Sequence, residues 1–236
     1  MQIRRLSMAE GAIAAEGLAV IIDVFRAFTC EPLMFHCGAR RIILEGDPGA
    51  CRAFREANPT AVLVGEINEA PIDGFDLTNS PSLIMAHGRA MFEGRTVVHR
   101  TTSGVTGALT ALQRCEEVLL SSFIIARATA EYILRRAPAV VSIVARGERS
   151  QAKGPEDEAC GDYLESLLSG RPYDHVAALA TILANPTAGK FLRNDKPHLP
   201  AADPAFCLQR DLFAFALRAE PRAEGVESVR IPSNSL

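Results

Sequence analysis

The chain has no tryptophan, and aromatic residues make up only 6% of its 236 positions. Proteins that hold single-stranded nucleic acid stack bases on aromatic faces, so this chain is poorly supplied for that work. It also lacks a basic excess. Its 25 Lys and Arg face 28 Asp and Glu, a net charge of −3, without the positive footprint that a phosphate backbone requires. No apolar run approaches the ~20 residues of a membrane span. Arg4 and Arg5 are followed by no apolar core of the signal-peptide kind. A cytoplasmic protein with neither nucleic-acid nor membrane partners is expected. The six cysteines, at 30, 37, 51, 115, 160 and 207, form no CxxC pair. That argues against a zinc knuckle or a redox dithiol and for small buried hydrophobes. There is no internal repeat and no low-complexity segment.

What is present is a set of short apolar runs that end in polar groups. Leu18 to Ile22 runs straight into Asp23, with Arg26 three residues on. A short run rich in Val and Ile reads as a strand buried on both faces. Ligands of open α/β sheets sit at the carboxyl ends of such strands. The plain alternative is that Asp23 caps the next helix or pairs with Arg26. A helix is predicted over 27–37, with Pro32 in its early part and Gly38 ending it. Arg41 to Leu44 is the next strand. Asp47 and Pro48 open a helix to about Ala57, and Ala61 to Val64 is a third strand ending at Gly65-Glu66. Strand and helix alternating at this spacing predict crossover units and a three-layer α/β fold. Its sheet is expected to be largely parallel or mixed, with helices on both faces. One domain over 1–236 is expected, and a subdomain boundary would fall near 145–155.

Residues 66–80 break the rhythm with a long polar loop carrying carboxylates at 66, 69, 73 and 76. Loops this long inside compact domains are usually functional or disordered. Glu66 and Asp76 flank its ordered ends, whereas Glu69 and Asp73 read as solvated. Ser80-Pro81 starts the next helix. Thr96 to His99 is a strand that leads into Arg100, Thr101, Thr102, Ser103 and Gly104. Hydroxyls and glycines between a strand and a helix make a cradle for an anion, or simply a tight turn. No Walker lysine follows. Glu117 to Leu120 is a strand, and Ser121-Ser122 is expected to cap a helix through Arg136. Ala139 to Val144 is a strand ending at Arg146-Gly147-Glu148, and Glu156-Asp157-Glu158 opens a helix to Leu168, where acids suit the helix dipole. Helices are expected near 174–184 and 187–193. Residues 194–204 read as a proline-rich loop, 205–217 as a helix or two short strands, and Gly225 to Ile231 as a last strand. Residues 1–17 read as a polar lead-in.

In a parallel sheet the polar strand ends would meet along one edge. Several carboxylates without paired histidines suit a hard cation such as magnesium, and the arginines and hydroxyls suit a phosphate. A metal that clamps a phosphoryl oxygen and activates water is one coherent use of such groups.

Several motifs here resemble those of a known family. They are Ile21 to Ala27, Gly65-Glu66, Gly74 to Pro81, Thr101 to Gly104, Ser122-Phe123 and Glu156-Asp157. They stand in the order seen in the 2-phosphosulfolactate phosphatases. Phe206-Cys207, Asp211 and Phe213 look like that family's closing segment. The resemblance implies an α/β fold, a magnesium ion and hydrolysis of a phosphate ester of a small sulfonated or carboxylated acid, in the route to coenzyme M. It makes Asp23, Glu66 and Asp76 the candidate catalytic residues and Asp23, Glu66, Glu156 and Asp157 the candidate metal ligands. Arg26, Asn79, Thr101, Thr102, Ser103, Gly104 and Arg146 become the candidate substrate-binding residues. The chain departs from the family in carrying Ile67 after Glu66 where an arginine is usual, Arg100 for a threonine and Ser103 for an asparagine. Arg100 or Arg149 is a candidate replacement cation. A binding protein that kept the cleft and lost the chemistry is therefore the competing reading. A small anionic substrate and a homodimer complete the expectations.

Overall fold

Short runs of β-branched residues form strands where the pattern predicts them, and two edge strands and one central strand add three more. The computed structural model describes residues 1–232. The strands are β1 (Gln2–Ser7), β2 (Leu18–Ile22), β3 (Arg41–Leu44), β4 (Val62–Ile67), β5 (Ala70–Pro71) and β6 (Thr96–Arg100). They continue with β7 (Glu117–Ser121), β8 (Val140–Ala145), β9 (Phe215–Arg222) and β10 (Gly225–Pro232). The helices are α1 (Met8–Ile13), α2 (Ala27–His36), α3 (Pro48–Ala57), α4 (Pro81–Phe92) and α5 (Gly104–Ala111), then α6 (Ala126–Arg136), α7 (Pro155–Ser169), α8 (His175–Ala184), α9 (Pro186–Leu192) and α10 (Asp203–Cys207). The class is the expected α/β. No helix among the described residues is long and apolar enough to cross a membrane. All six cysteines are free, and five are buried.

The strand order is β1-β8-β2-β7-β9-β10-β3-β6-β4-β5. Strands β1, β8, β2 and β7 form one parallel block, and β3, β6 and β4 form another. The β9–β10 hairpin joins them with antiparallel pairing on both sides. Counted along the ladder, the two blocks therefore run in opposite senses. The expectation that strand ends meet because all strands share a direction is corrected here. They meet because the sheet twists. Neighbouring strands rotate by roughly 20–25°, so four steps from β2 to β3 turn the second block through roughly 90°. Inner-face residues of both blocks, among them Ala19, Ile21, Ile42, Val64, Val97 and Leu120, then close around α2 in one core. Nine of the ten residues of α2 are buried as a result.

Pro32 lies in the middle of α2 and not in its early part. A proline there removes the N–H that would bond the carbonyl of Phe28. Ser122 supplies the missing donor, its Oγ lying 2.8 Å from Phe28 O. Ser122 therefore makes no side-chain cap, contrary to the expectation from the sequence. A 3-10 turn over Phe123–Ile125 precedes α6 instead. The outer face of the first block is covered by α6, α7 and α8, and that of the second by α3. Two expected start signals hold: Asp47 accepts from Ala50 N at 2.7 Å, and Ser80 accepts from Leu83 N at 3.3 Å.

Residues 1–17 are not a lead-in. They form β1 and α1, and β1 pairs in parallel with β8 over its whole length. The mixed polarity of QIRRLS hides it, because an edge strand need not be apolar on both faces. Residues 205–217 divide between the end of α10 and the start of β9.

Candidate active site

The carboxyl ends of β2, β4, β6 and β8 converge on a pocket of about 490 Å³, measured with its open mouth. Seven expected residues line it: Asp23, Arg26, Glu66, Asn79, Thr102, Ser103 and Glu156. Asp23 follows β2 directly. Its Oδ1 accepts from Ala27 N at 3.1 Å, and its Oδ2 has no hydrogen-bond partner among the described residues. Gly104 is what lets α5 approach so closely. A Cβ there would lie 2.6 Å from the Cβ of Ala27 and 2.8 Å from Asp23 Oδ2.

Arg26, 3% exposed, gives Nη1 to Asp203 Oδ2 at 2.8 Å and to His198 O at 2.9 Å. Its Nε and Nη2 make no hydrogen bond among the described residues. Its guanidinium stands 5.4 Å from the Phe191 ring centroid. Glu66 spends both oxygens on backbone and hydroxyl donors. Oε1 accepts from Thr102 N at 2.6 Å, and Oε2 accepts from Thr102 Oγ1 at 3.1 Å and from Glu69 N. It ties the end of β4 to the loop after β6. Asn79 Oδ1 faces His99 Nε2 at 2.9 Å.

Five expected residues do not line the pocket, each for a visible reason. Asp76 pairs with Arg55 at 3.1 Å and accepts from Leu63 N at 2.8 Å, which fastens the polar loop to α3 and β4. Thr101 caps α5 by accepting from Val105 N at 2.9 Å. Gly104 serves as the close-contact residue just described. Arg146 is buried and donates to Ser103 O at 3.1 Å, Met8 O at 2.7 Å and Ser150 Oγ at 2.6 Å. Asp157 accepts from Val24 N and Gly147 N, both at 2.7 Å, and so clamps the loops after β2 and β8 together.

The pocket also holds residues that sequence reasoning passed over. Glu69 had read as solvated. It instead sits on the β4–β5 turn, where Asn68 and Glu69 both have positive φ, as a tight two-residue hairpin requires. Arg149 and Ser150 are left-handed too, and such non-glycine residues gather at functional sites. Lys190 of α9 pairs with Glu69 and reaches Glu148 at 3.5 Å, with its side chain 12% exposed. Thr187, Lys190 and Phe191 fall at i, i+3 and i+4 on one helix face, and all three line the pocket. A signal existed in the sequence: Lys190 is the one Asp, Glu, Lys or Arg between 175 and 192. Of the two candidate replacement cations, Arg149 lines the pocket. Arg100 does not; it donates to Gly46 O at 3.1 Å, to Thr102 Oγ1 at 3.1 Å and to Glu66 O. Ile67 stands outside the lining and is 40% exposed.

Burial sets the electrostatics. It lifts the Asp23 carboxyl to about 6, with the Glu66 charge adding to the effect. It lifts Glu156 to about 7, with Asp23 and Glu148 adding. Burial, Glu156 and Asp23 also raise Asp157 against its two backbone donors. Glu69 goes the other way: burial would raise it, but Lys190, Arg149 and Arg26 outweigh that and hold it below the usual range. Glu156 Oε2 is buried without a hydrogen-bond partner. Among the described residues, no group of three or more His, Cys, Asp or Glu is set to hold a metal by itself.

Comparison with known proteins gives the family. The profile of the family described as 2-phosphosulpholactate phosphatase matches residues 6–219. The chain belongs to this family. Family membership makes it a phosphoric monoester hydrolase. A Bacillus subtilis protein named "Probable 2-phosphosulfolactate phosphatase" is 30% identical over 216 residues, covering 90% of this chain and 91% of that protein. A Deinococcus radiodurans protein of the same name is 35% identical over 152 residues, covering 64% and 62% of the two chains. One from Thermoplasma volcanium is 28% identical over 194 residues, covering 82% and 85%. The matched span includes every residue that lines the pocket, from Asp23 to Phe191.

Proposed function

We propose that the chain is a magnesium-dependent phosphatase that hydrolyses 2-phosphosulfolactate or a closely similar sulfonated or carboxylated phosphate ester. The observation that carries this reading is one pocket with two kinds of binding capacity. Asp23 and Glu156 have carboxylate oxygens without protein partners, beside the cations Arg26, Arg149 and Lys190. The names of the curated relatives support the substrate class.

The donor set fits magnesium. That ion keeps several waters and takes only one or two carboxylates plus substrate phosphate oxygens. Asp23 Oδ2 and Glu156 Oε2 are the oxygens that would hold it. When bound, it supplies charge to polarise a phosphoryl oxygen and to lower the pKa of a water. The protein does the rest. Arg26 keeps Nη1 on Asp203 and turns Nε and Nη2 to the phosphoryl oxygens, a bidentate geometry that suits guanidinium. Asn79 adds a carboxamide at the same place. Lys190 and Arg149 receive the substrate's second acid group, taking the place that Glu69 fills in the free protein. Glu66, with both oxygens committed, fixes the loops and leaves the chemistry to Asp23 and Glu156. Water attacks phosphorus, the ester P–O bond breaks, and inorganic phosphate and the hydroxy acid leave. The homodimer and the cytoplasmic setting remain part of the proposal, and sedimentation checks the first.

The test is phosphate release from 2-phosphosulfolactate, phospholactate and phenyl phosphate, in magnesium and in EDTA. Release that needs magnesium, favours the acidic esters and drops at least ~100-fold in Asp23→Asn and Glu156→Gln supports the proposal. No release from any ester sinks it. Thermal stabilisation by the phospho-acids without turnover would assign the chain to the competing binding role.

A further inference from the structure

Behind Asn79 lies a buried pair, His99 and Glu31, that the mechanism above does not use. Asn79 lines the pocket and is 3% exposed. Its Oδ1 faces His99 Nε2 at 2.9 Å, and His99 Nδ1 faces Glu31 Oε1 at 2.8 Å. His99 and Glu31 have no exposed surface at all. The three come from separate elements: Glu31 from the middle of α2, His99 from β6, and Asn79 from the loop before α4. Glu31 Oε2 has no hydrogen-bond partner. An acid and an imidazole inside an apolar core are costly to keep. Phe28, Leu33, Ile84 and Val97 belong to that core.

Hydrogen-bond inventory gives these three groups a direction. A carboxylate only accepts, so Nδ1 carries a hydrogen toward Glu31. Nε2 faces the carboxamide oxygen, which accepts as well, so this arrangement needs a hydrogen on both ring nitrogens, an imidazolium beside the Glu31 carboxylate. Asn79 Oδ1 is therefore occupied, and its Nδ2 hydrogens are the ones left for the pocket. We propose that Glu31 and His99 are positioning residues that lock the Asn79 carboxamide with its NH2 turned to the phosphoryl group. Without them the amide is free to flip and present its oxygen, which would repel a phosphate. This deepens the phosphatase reading and rests on it, since it concerns how the same pocket recognises phosphate.

A double-mutant cycle separates positioning from plain structural support. Asn79→Ala, His99→Gln and the double variant are compared by kcat and KM for phosphate ester hydrolysis, with thermal melts alongside. Asn79→Ala is expected to lose ~10- to 100-fold in kcat/KM, the size of one hydrogen bond to a charged group. His99→Gln should lose a similar factor, and the double variant should be no worse than Asn79→Ala alone. Losses that multiply would overturn the proposal, because His99 would then act through something other than Asn79. If His99→Gln does not fold, Glu31→Gln takes its place in the cycle and is scored by the same rule. If the wild-type chain releases no phosphate, the phosphatase reading fails. The same cycle is then read on the affinity for inorganic phosphate, where non-additive losses support the lock and additive ones overturn it.

Discussion

Removing the carboxylate of Asp203 should damage both the stability of the chain and its pocket. Asp203 is wholly buried and lies far along the chain from the residues it serves. Its Oδ2 accepts from Arg26 Nη1 at 2.8 Å. Its Oδ1 accepts from Ser80 Oγ at 2.7 Å, Ser82 Oγ at 2.6 Å and Ser82 N at 3.1 Å. Breaking a buried ion pair by deleting one partner costs about 3–5 kcal/mol. The lower end applies here, because Arg26 keeps His198 O and the face of Phe191. Asp203→Ala should therefore lose about 3 kcal/mol, or about 6–12 °C in Tm for a chain of this length. Asp203→Asn retains volume and one acceptor and should fall between the two. Because Arg26 loses its anchor, KM for a phosphate ester should rise more than kcat falls. Urea unfolding and steady-state kinetics on the three proteins check both parts. An Asp203→Ala protein within about 1 kcal/mol of wild type and with unchanged KM would refute the reasoning, since such a loss lies outside the range for buried pairs.

Other outcomes follow from the same contacts. Gly104→Ala places a methyl against Ala27 and Asp23. Overpacking of about 1–3 kcal/mol exceeds the roughly 1 kcal/mol gained in helix propensity, so a modest drop in stability and a larger drop in kcat are expected. Lys190→Met should raise KM for a sulfonated or carboxylated ester by about 10-fold or more, and by a smaller factor for phenyl phosphate, as steady-state assays on the two would show. Burial would raise the Glu117 carboxyl, but bonds from Tyr132, Arg218 and Arg136 outweigh it and hold the group below its usual 4.5. A lowered folded-state value means stability that is present above pH 4.5 and lost as pH falls through the folded value. Glu117→Gln should therefore cost about 1–3 kcal/mol at pH 7 and progressively less in acid, read by denaturant unfolding across pH.

The pocket was partly legible because its strand ends carry polar groups right after apolar runs. Asp23, Glu66, Thr102, Ser103 and Glu156 were found that way. Asp76, Thr101, Arg146 and Asp157 carry the same chemistry at similar places and serve the scaffold instead. Nothing local separates the two sets. Thr101 and Thr102 are neighbours, yet one caps α5 and the other reaches the pocket. Lys190 escaped notice because its helix contributes no strand end, and its role comes from Glu69 and Glu148 on distant loops.

By itself the sequence determined the alternation of strands and helices, the caps at Asp47 and Ser80, and the list of groups able to bind a phosphate. Those features follow from apolar periodicity and turn chemistry acting within a few residues. Tertiary structure alone decided that the two parallel blocks run in opposite senses and still bring their ends together around α2. It also decided which charges are spent on one another, as Arg26 is on Asp203 across 177 positions. The physical reason is that backbone preference is local, whereas a buried charge or hydrogen-bonding group is satisfied by whatever the folded chain brings within ~3 Å.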